Sequence, residues 1–518
     1  MTTRAGQRAS APISGPEIGT FCLVLHSHLP WVAHHGTWPV GEEWLHQAWA
    51  DSYARVFDIA TRLSDEGRHN LFTLGLTPVL AAALDDPYCL AEHHRWLADR
   101  QWQAIGLLNH SGIEYRKAAE REIAHAHRSL ALFEKSWQHG ASPLLRHLLD
   151  ADAIELLGGP LTHTFTPYIP EKLATPSLMT GLDDMQLRLG ARPTGIWLPE
   201  CAYVPDLDVS LSRANVGHLM LEGPTLQAVG ANTSAAWQLG DTDVRVVGRD
   251  LPITYRVWSP KSGYPGNRWY RDFHAFERNS GLRLYRVTGR QVSAEQKNPY
   301  NESRALAQVE RDAQDFVSRV RQRLLDISRN NDGTPGIVVA AFDTELFGHW
   351  WHEGPIWLEQ VLRLLPTAGI RVSTINDAIT RHGVTGTVRP EAGSWGSGKD
   401  FRVWSGEATT ELRAQYDSTT KQVMHLLAEQ RIGQGIKTRN LLSDQLITSL
   451  LLALSSDWVF LIEKAGAAQY ASERAAAHLA DVRQLIDALS AGRGDDSDWV
   501  RIAQRDGIWG HLDARRFG

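Results

Sequence analysis

Ile337-Val338-Val339-Ala340-Ala341-Phe342-Asp343-Thr344-Glu345-Leu346-Phe347-Gly348-His349-Trp350-Trp351 opens with six apolar residues, then turns acidic and aromatic. A short apolar run rich in β-branched residues predicts a fully buried strand of the kind that parallel sheets use. Asp343 and Glu345 stand at its exit, two apart and sharing a strand face. Gly195-Ile196-Trp197-Leu198-Pro199-Glu200-Cys201-Ala202-Tyr203 repeats the plan, with Glu200 after an apolar run. Strand exits are where α/β barrels keep their reactive groups.

The rest of the chain fits around these two strands. Residues 20–25 read as a buried strand ending at His26-Ser27-His28-Leu29-Pro30. Further strands are expected at 70–75, at 153–159 with closing glycines, near Trp197, at 218–221, at 244–249 and, shorter, at 369–373. Apolar residues at three- and four-residue spacing predict helices over 84–149 and 304–327. Strands alternating with helices imply βαβ units and a parallel sheet, and about seven of them suggest a closed or nearly closed barrel. Residues 384–405, rich in Gly and Ser with Pro390, read as a boundary. Beyond it 408–429, 438–454 and 467–489 are helical patterns without strand signal, so a helical bundle is expected. The resulting plan is a flexible tail 1–19, a barrel over 20–270 with a helical excursion near 84–149, a helical insertion 271–335, the end of the barrel 336–385, and a linker with a helical domain 386–518.

Composition narrows the function classes. The 518 residues are 43% hydrophobic and 22% charged, as in ordinary globular proteins. The net charge of -6 disfavours nucleic acid as a partner. No apolar run reaches membrane-spanning length, and residues 1–19 lack a signal-like apolar core. Cys22, Cys89 and Cys201 form no CxxC pair and read as reduced thiols of a cytoplasmic protein. The 19 tryptophans tilt the balance toward carbohydrate, whose apolar ring faces stack on aromatic rings.

Each candidate residue has a plainer reading. Glu200 is a loop glutamate by default, but Trp197, Leu198, Cys201 and Tyr203 give it apolar surroundings, where an idle charge is costly. Asp343 is either a helix N-cap or a general acid/base whose pKa burial and Glu200 raise. A carboxylate pair in an aromatic-lined cleft is what glycosidic chemistry requires. His26 and His28 are loop polars, sugar-hydroxyl partners or metal ligands. The metal reading, a barrel hydrolase, would draw on His163 and Asp343 but lacks an evident further His and a bridging Lys. His163 follows a Gly-ended strand and leans toward the site. Trp258 lies in an aromatic Gly/Pro segment running from Arg249 to Gly266. Trp395, Trp404 and Asp457 lie at or beyond the boundary, where they would line a cleft or cement an interface.

In this order, His26-Ser27-His28-Leu29-Pro30, Gly158-Gly159 with His163, Trp197-Leu198-Pro199-Glu200 and Phe342 to Trp351 resemble glycoside hydrolase family 57. The segment from Val257-Trp258-Ser259 to Gly266, with Ser455-Ser456-Asp457-Trp458, resembles the family's 1,4-α-glucan branching members, and the likeness spans about residues 20–489. The resemblance implies a (β/α)7 barrel with inserted helices and a C-terminal all-helical domain closing the cleft. It implies retaining transfer on an α-1,4-glucan, Glu200 as nucleophile, Asp343 as acid/base, and no metal or cofactor. It also implies substrate contacts from Arg249, Gly266, Trp395 and Asp457, with His26, His28, His163, Trp258 and Trp404 along the cleft. One departure stands out. Residues 204–254 hold no tyrosine, whereas branching members carry a longer tyrosine-bearing loop there. Hydrolysis of α-1,4 bonds, or transfer to a 4-hydroxyl, stays open beside branching.

Overall fold

The N-terminal strand β1 (Gly19–Ser27) is buried over its whole length, as its apolar composition requires. In the computed structural model it heads a series of ten strands: β2 (Phe72–Leu76), β3 (Ile154–Gly158), β4 (Gly195–Ile196), β5 (His218–Leu221), β6 (Ala236–Leu239), β7 (Arg245–Gly248), β8 (Ile337–Asp343), β9 (Ile370–Ser373) and β10 (Val384–Val388). The structure describes residues 16–517 apart from 38–39, 107, 109–112, 260, 277–282, 290, 435–437 and 493–496.

Strands β8, β1, β2, β3, β4, β5 and β7 lie side by side in that order, and all six pairings are parallel. The outer two meet: the Asp250 N–H donates to the Val339 carbonyl at 2.7 Å beside an Arg249–Val339 bridge. Seven strands thus curl into a ring, the barrel the sequence led us to expect. Register fixes the mouth, since His26 lies opposite Asp343 on β8 and opposite Gly75 on β2. β9 pairs with the first half of β1, whereas β6 and β10 extend the sheet beyond β7.

Four helices, Pro78–Asp85, Pro87–Gly106, Ile113–Ser136 and Ala141–Asp150, fill the excursion between β2 and β3. Helix Glu302–Asn330 lies against β1 and β8, burying Val309, Phe316, Val320 and Leu324. After β10 come helices Thr410–Gln434, Leu441–Ala453, Ser456–Glu463, Ala468–Ser490 and Ser497–Asp506. A single hydrophobic cluster runs from Phe21 and Trp31 through Leu446, Leu450 and Leu485. The helical region is therefore packed onto the barrel, not tethered to it. No described helix is long and apolar enough to cross a membrane.

The structure redraws several expected boundaries. The expected tail falls mostly outside the described residues, but its end is ordered: Glu17 pairs with Arg371 and Arg381, and the Ile18 N–H reaches the Gly369 carbonyl at 3.0 Å. Among the described residues of 271–335 the one α-helix is Glu302–Asn330; before it come a short 3-10 turn, Ala294–Gln296, and the bridges Arg271–Arg286 and Tyr285–Pro299. The expected boundary at 384 begins with strand β10, whose mostly exposed residues carry no apolar signal. β4 stops at Ile196, one residue before Trp197.

Candidate active site

Each barrel strand delivers a polar residue at its C-terminal exit: His26 and His28 from β1, Thr77 from β2, His163 from β3, Glu200 from β4, Glu222 from β5, Arg249 from β7 and Asp343 from β8. Glu200 is presented by a sharp turn. Pro199 leads into it, and Glu200 (φ 61°) and Cys201 (φ 49°) are both left-handed. That backbone costs a non-glycine residue about 1–2 kcal/mol, strain of the kind kept at functional sites. The gain is orientation. Trp395 Nε1 donates to Glu200 Oε2 at 2.9 Å, and Ser456 Oγ donates to Oε1 at 3.0 Å. The Trp395 backbone N–H also donates to the Glu200 carbonyl at 3.0 Å. The carboxylate is thus held from the strap after β10 and from the helical domain at once.

Asp343 ends β8, and its side chain caps nothing, so the N-cap alternative falls away. Burial lifts it to about 6, against the pull of the Arg249 and His28 charges. Burial lifts Glu200 to about 7 against its two donors, with the Asp457 and Asp343 charges adding to the rise. Two coupled carboxyls of this kind titrate as a pair that keeps about one proton near neutrality. Glu345 lies in the turn Thr344–Leu346, beyond the strand face it was expected to share. It accepts from Tyr53 Oη and, at 3.3 Å, from the His28 N–H. Burial and the Asp343 charge push Glu345 to about 8.

The histidines form a stacked row. His28 lies 4.0 Å from His163 between ring centroids, and His26 lies 4.4 Å from Trp197. His26 Nε2 is 3.1 Å from His163 Nε2, and His163 Nδ1 is 2.9 Å from Ser456 Oγ. His28 joins Thr77 Oγ1 at 3.0 Å and Asp457 Oδ2 at 2.9 Å. Burial opposes ionisation of Asp457, but His28 and His163 outweigh it and hold the carboxyl at about 2. His28, His163 and Asp457 bring three possible metal-ligand atoms within 4.8 Å of one another. The nitrogens facing that point are already engaged with one another's partners, which disfavours the metal reading. His26 and His163 are held far below their usual pKa by burial, so they are neutral donors or acceptors for sugar hydroxyls.

Arg249 is buried, pairs with Glu222 at 3.2 Å and lies 5.3 Å from the Trp395 ring centroid. The structure therefore brings together eight of the expected residues: Glu200, Asp343, Arg249, Trp395, Asp457, His26, His28 and His163. The other three lie outside this cluster, though Trp404 shares a cavity wall with Ser456, the donor to Glu200. Trp404 is fully buried, stacks on Phe165 at 4.8 Å, and lines a cavity of about 420 Å³ between residues 164–170 and the helical domain. Trp258 packs on Trp350 at 5.5 Å, and Gly266 closes the turn Tyr264–Gly266 beyond it; no described contact joins either to the carboxylates. Sequence reasoning missed Tyr53, Thr77, Glu222 and Lys399, and quoted Ser456 only as part of a motif. Glu222, after the apolar His218–Leu221, carried the same strand-exit signal as Asp343.

A family model described as glycosyl hydrolase family 57 matches residues 22–390. The chain belongs to glycosyl hydrolase family 57. Residues 416–517 match a second model, the C-terminal region of 1,4-alpha-glucan branching enzymes. A probable 1,4-alpha-glucan branching enzyme of Mycobacterium tuberculosis is 47% identical, over 97% of this chain and 99% of its own. Two solved structures of this family share the architecture. The branching enzyme of Thermococcus kodakaraensis, in complex with glucose and additives, superposes with a TM-score of 0.90 at 28% identity, covering 96% of both chains. That of Pyrococcus horikoshii gives 0.89 at 27% identity, covering 96% of this chain and 97% of its own.

Proposed function

We propose that this family 57 enzyme is a 1,4-α-glucan branching enzyme that works by double displacement. The observation that carries the reading is Glu200 held by donors on both oxygens at a mouth it shares with Asp343. In the free site Glu200, at about 7 even with its donors Trp395 and Ser456, holds a proton more tightly than Asp343, at about 6, so binding of the sugar has to move that proton to Asp343. Among the described residues no side-chain hydrogen bond holds the Asp343 carboxyl in its charged form, whereas Trp395 and Ser456 hold Glu200 in its own, and that difference favours the move.

Glu200 attacks the anomeric carbon of an α-1,4-linked glucosyl unit. Asp343 protonates the departing 4-oxygen, and a covalent glycosyl-Glu200 remains. The 6-hydroxyl of an acceptor chain then displaces Glu200 while Asp343, now a base, takes its proton. Retaining enzymes place such carboxyls about 5–5.5 Å apart. Arg249, Trp395, Asp457 and the neutral histidines bind sugar hydroxyls and ring faces, while Trp258, Gly266 and Trp404 act further along the chain. The substrate is an α-1,4-glucan. A cytoplasmic setting agrees with three buried free thiols, Cys22, Cys89 and Cys201.

One observation favours a second reading, α-amylase or 4-α-glucanotransferase. The chain between β5 and β7 holds only helix Gly223–Gln227 and β6, with no tyrosine to shield the glycosyl-enzyme from water. Proton NMR of amylose with the purified enzyme, beside a reducing-end assay, separates the readings. Branching predicts new α-1,6 anomeric signal with few new reducing ends. Rising reducing ends without α-1,6 signal would assign hydrolysis instead.

A further inference from the structure

Glu222 follows β5 directly and is completely buried. A buried carboxylate without partners is prohibitively costly. Glu222 has two cationic partners: Arg249 Nη1 lies 3.2 Å from Oε2, and Lys399 Nζ lies 3.1 Å from Oε1. The backbone brings them close, since a Cβ on Gly223 would meet the Arg249 carbonyl oxygen at 2.5 Å. Lys399, left-handed at φ 63°, also donates from Nζ to the Trp395 carbonyl at 3.0 Å. Arg249 flanks the Trp395 ring. The strap is clipped to the nucleophile loop by paired Tyr203–Gly393 backbone bonds of 2.9 and 3.1 Å.

Resting on the reading of Glu200 and Asp343 as the catalytic pair, we infer that Glu222 is a positioning residue. It clamps Arg249 and Lys399 about Trp395 and sets the charge that the two carboxyls feel. It touches no substrate and acts through the groups that do. Fields from Glu222, Arg249, Glu200 and Lys399 converge on the Cys201 thiol next to the nucleophile, so the hub and Glu200 occupy one electrostatic neighbourhood. Asp343 is faced by Arg249, His28 and Glu345, and Glu200 by Asp457, His163 and Asp343.

The hub holds one anion and two cations. Glu222→Gln removes the anion and leaves both cations uncompensated beside the pair, which favours ionised carboxyls. Lys399→Met removes a cation and does the reverse. The test is the pH profile of kcat/KM for α-1,4 bond cleavage in the full-length enzyme. The alkaline limb, which reports loss of the pair's proton, is expected to move down by about 0.5–1 pH unit in Glu222→Gln and up by a similar amount in Lys399→Met. In both, kcat falls roughly tenfold to a hundredfold as the strap loosens. A purely structural role would lower kcat in both variants and leave the limbs unmoved or shifted alike, and that result overturns the inference. Should Glu222→Gln fail to fold, the upward shift in Lys399→Met, at a partly exposed side chain, decides alone. Glu200→Gln serves as the control. If it keeps its activity, the catalytic reading is what has failed; if it is inactive while the limbs do not part, the hub has failed.

Discussion

Glu345 sits where a carboxylate is costly. Tyr53 and the His28 N–H hold one of its oxygens, yet burial and the neighbouring Asp343 charge keep its pKa near 8, above the ordinary 4.5. The consequence for stability has a definite sign. From about pH 4.5 to 8 the unfolded chain releases this proton and the folded chain keeps it, so stability falls as pH rises through that window. Glu345→Gln keeps an oxygen for both donors and carries no charge. We expect it to gain on the order of 1 kcal/mol or more over the parent at pH 8 and nearly nothing at pH 4. Paired thermal melts at the two pH values check this. A smaller gain at pH 8 than at pH 4 would mean that Glu345 is ionised at no cost. Asp343 and Glu200 carry the same sign, as expected where stability is given up for chemistry.

At the scale of elements, the acid/base loop owes its shape to a π-helical turn, Trp49–Tyr53, between two α-helices. Such bulges are rare and mark functional sites. Here Ser52 Oγ donates to the Thr344 carbonyl at 2.7 Å, and the next residue supplies the Tyr53 hydroxyl. The loop closes against the turn through Gly348, at φ 116°, where a Cβ would stand 1.7 Å from the Asp51 carbonyl oxygen. Gly348→Ala therefore meets both a forbidden φ and a backbone clash. We expect roughly 3 kcal/mol or more of destabilisation, with activity lost beyond that share, in denaturant unfolding and rate assays. This coupling was invisible in the sequence. Glu200 and Asp343 were legible because each ends an apolar run, and buried parallel strands advertise themselves that way. Glu222 carried the same strand-exit signal and was passed over, whereas Tyr53 and Lys399 carried none, because their meaning lies in contacts between segments far apart in the chain. β6 and β10 escaped notice because neither is fully buried, so no apolar run marks them.

Over the whole molecule, the barrel alone does not complete the site. Ser456 and Asp457 begin the helix Ser456–Glu463 of the helical domain, one reaching Glu200 and the other His28. The Ser456 N–H also donates to the His163 carbonyl at 2.8 Å. Barrel and helical domain share one hydrophobic cluster, which holds them together but says little about their angle. Polar contacts set that angle, and His28–Asp457, at 2.9 Å, is among those that span the mouth. Asp457 is held near 2, below its ordinary 3.8, so it stabilises the fold at pH values above about 3.8, a contribution lost as pH falls through its folded value. His28→Ala removes the hydrogen-bond partner across the mouth and leaves a largely buried carboxylate with less to offset the cost of its burial. We expect a loss of about 2 kcal/mol at neutral pH and an acid-unfolding midpoint moved to higher pH. Amide exchange should quicken selectively in Ser456–Glu463, because the clasp opens there first. Exchange that quickened evenly across barrel and helices would mean that His28 supports the fold at large and that the hydrophobic cluster alone sets the closure.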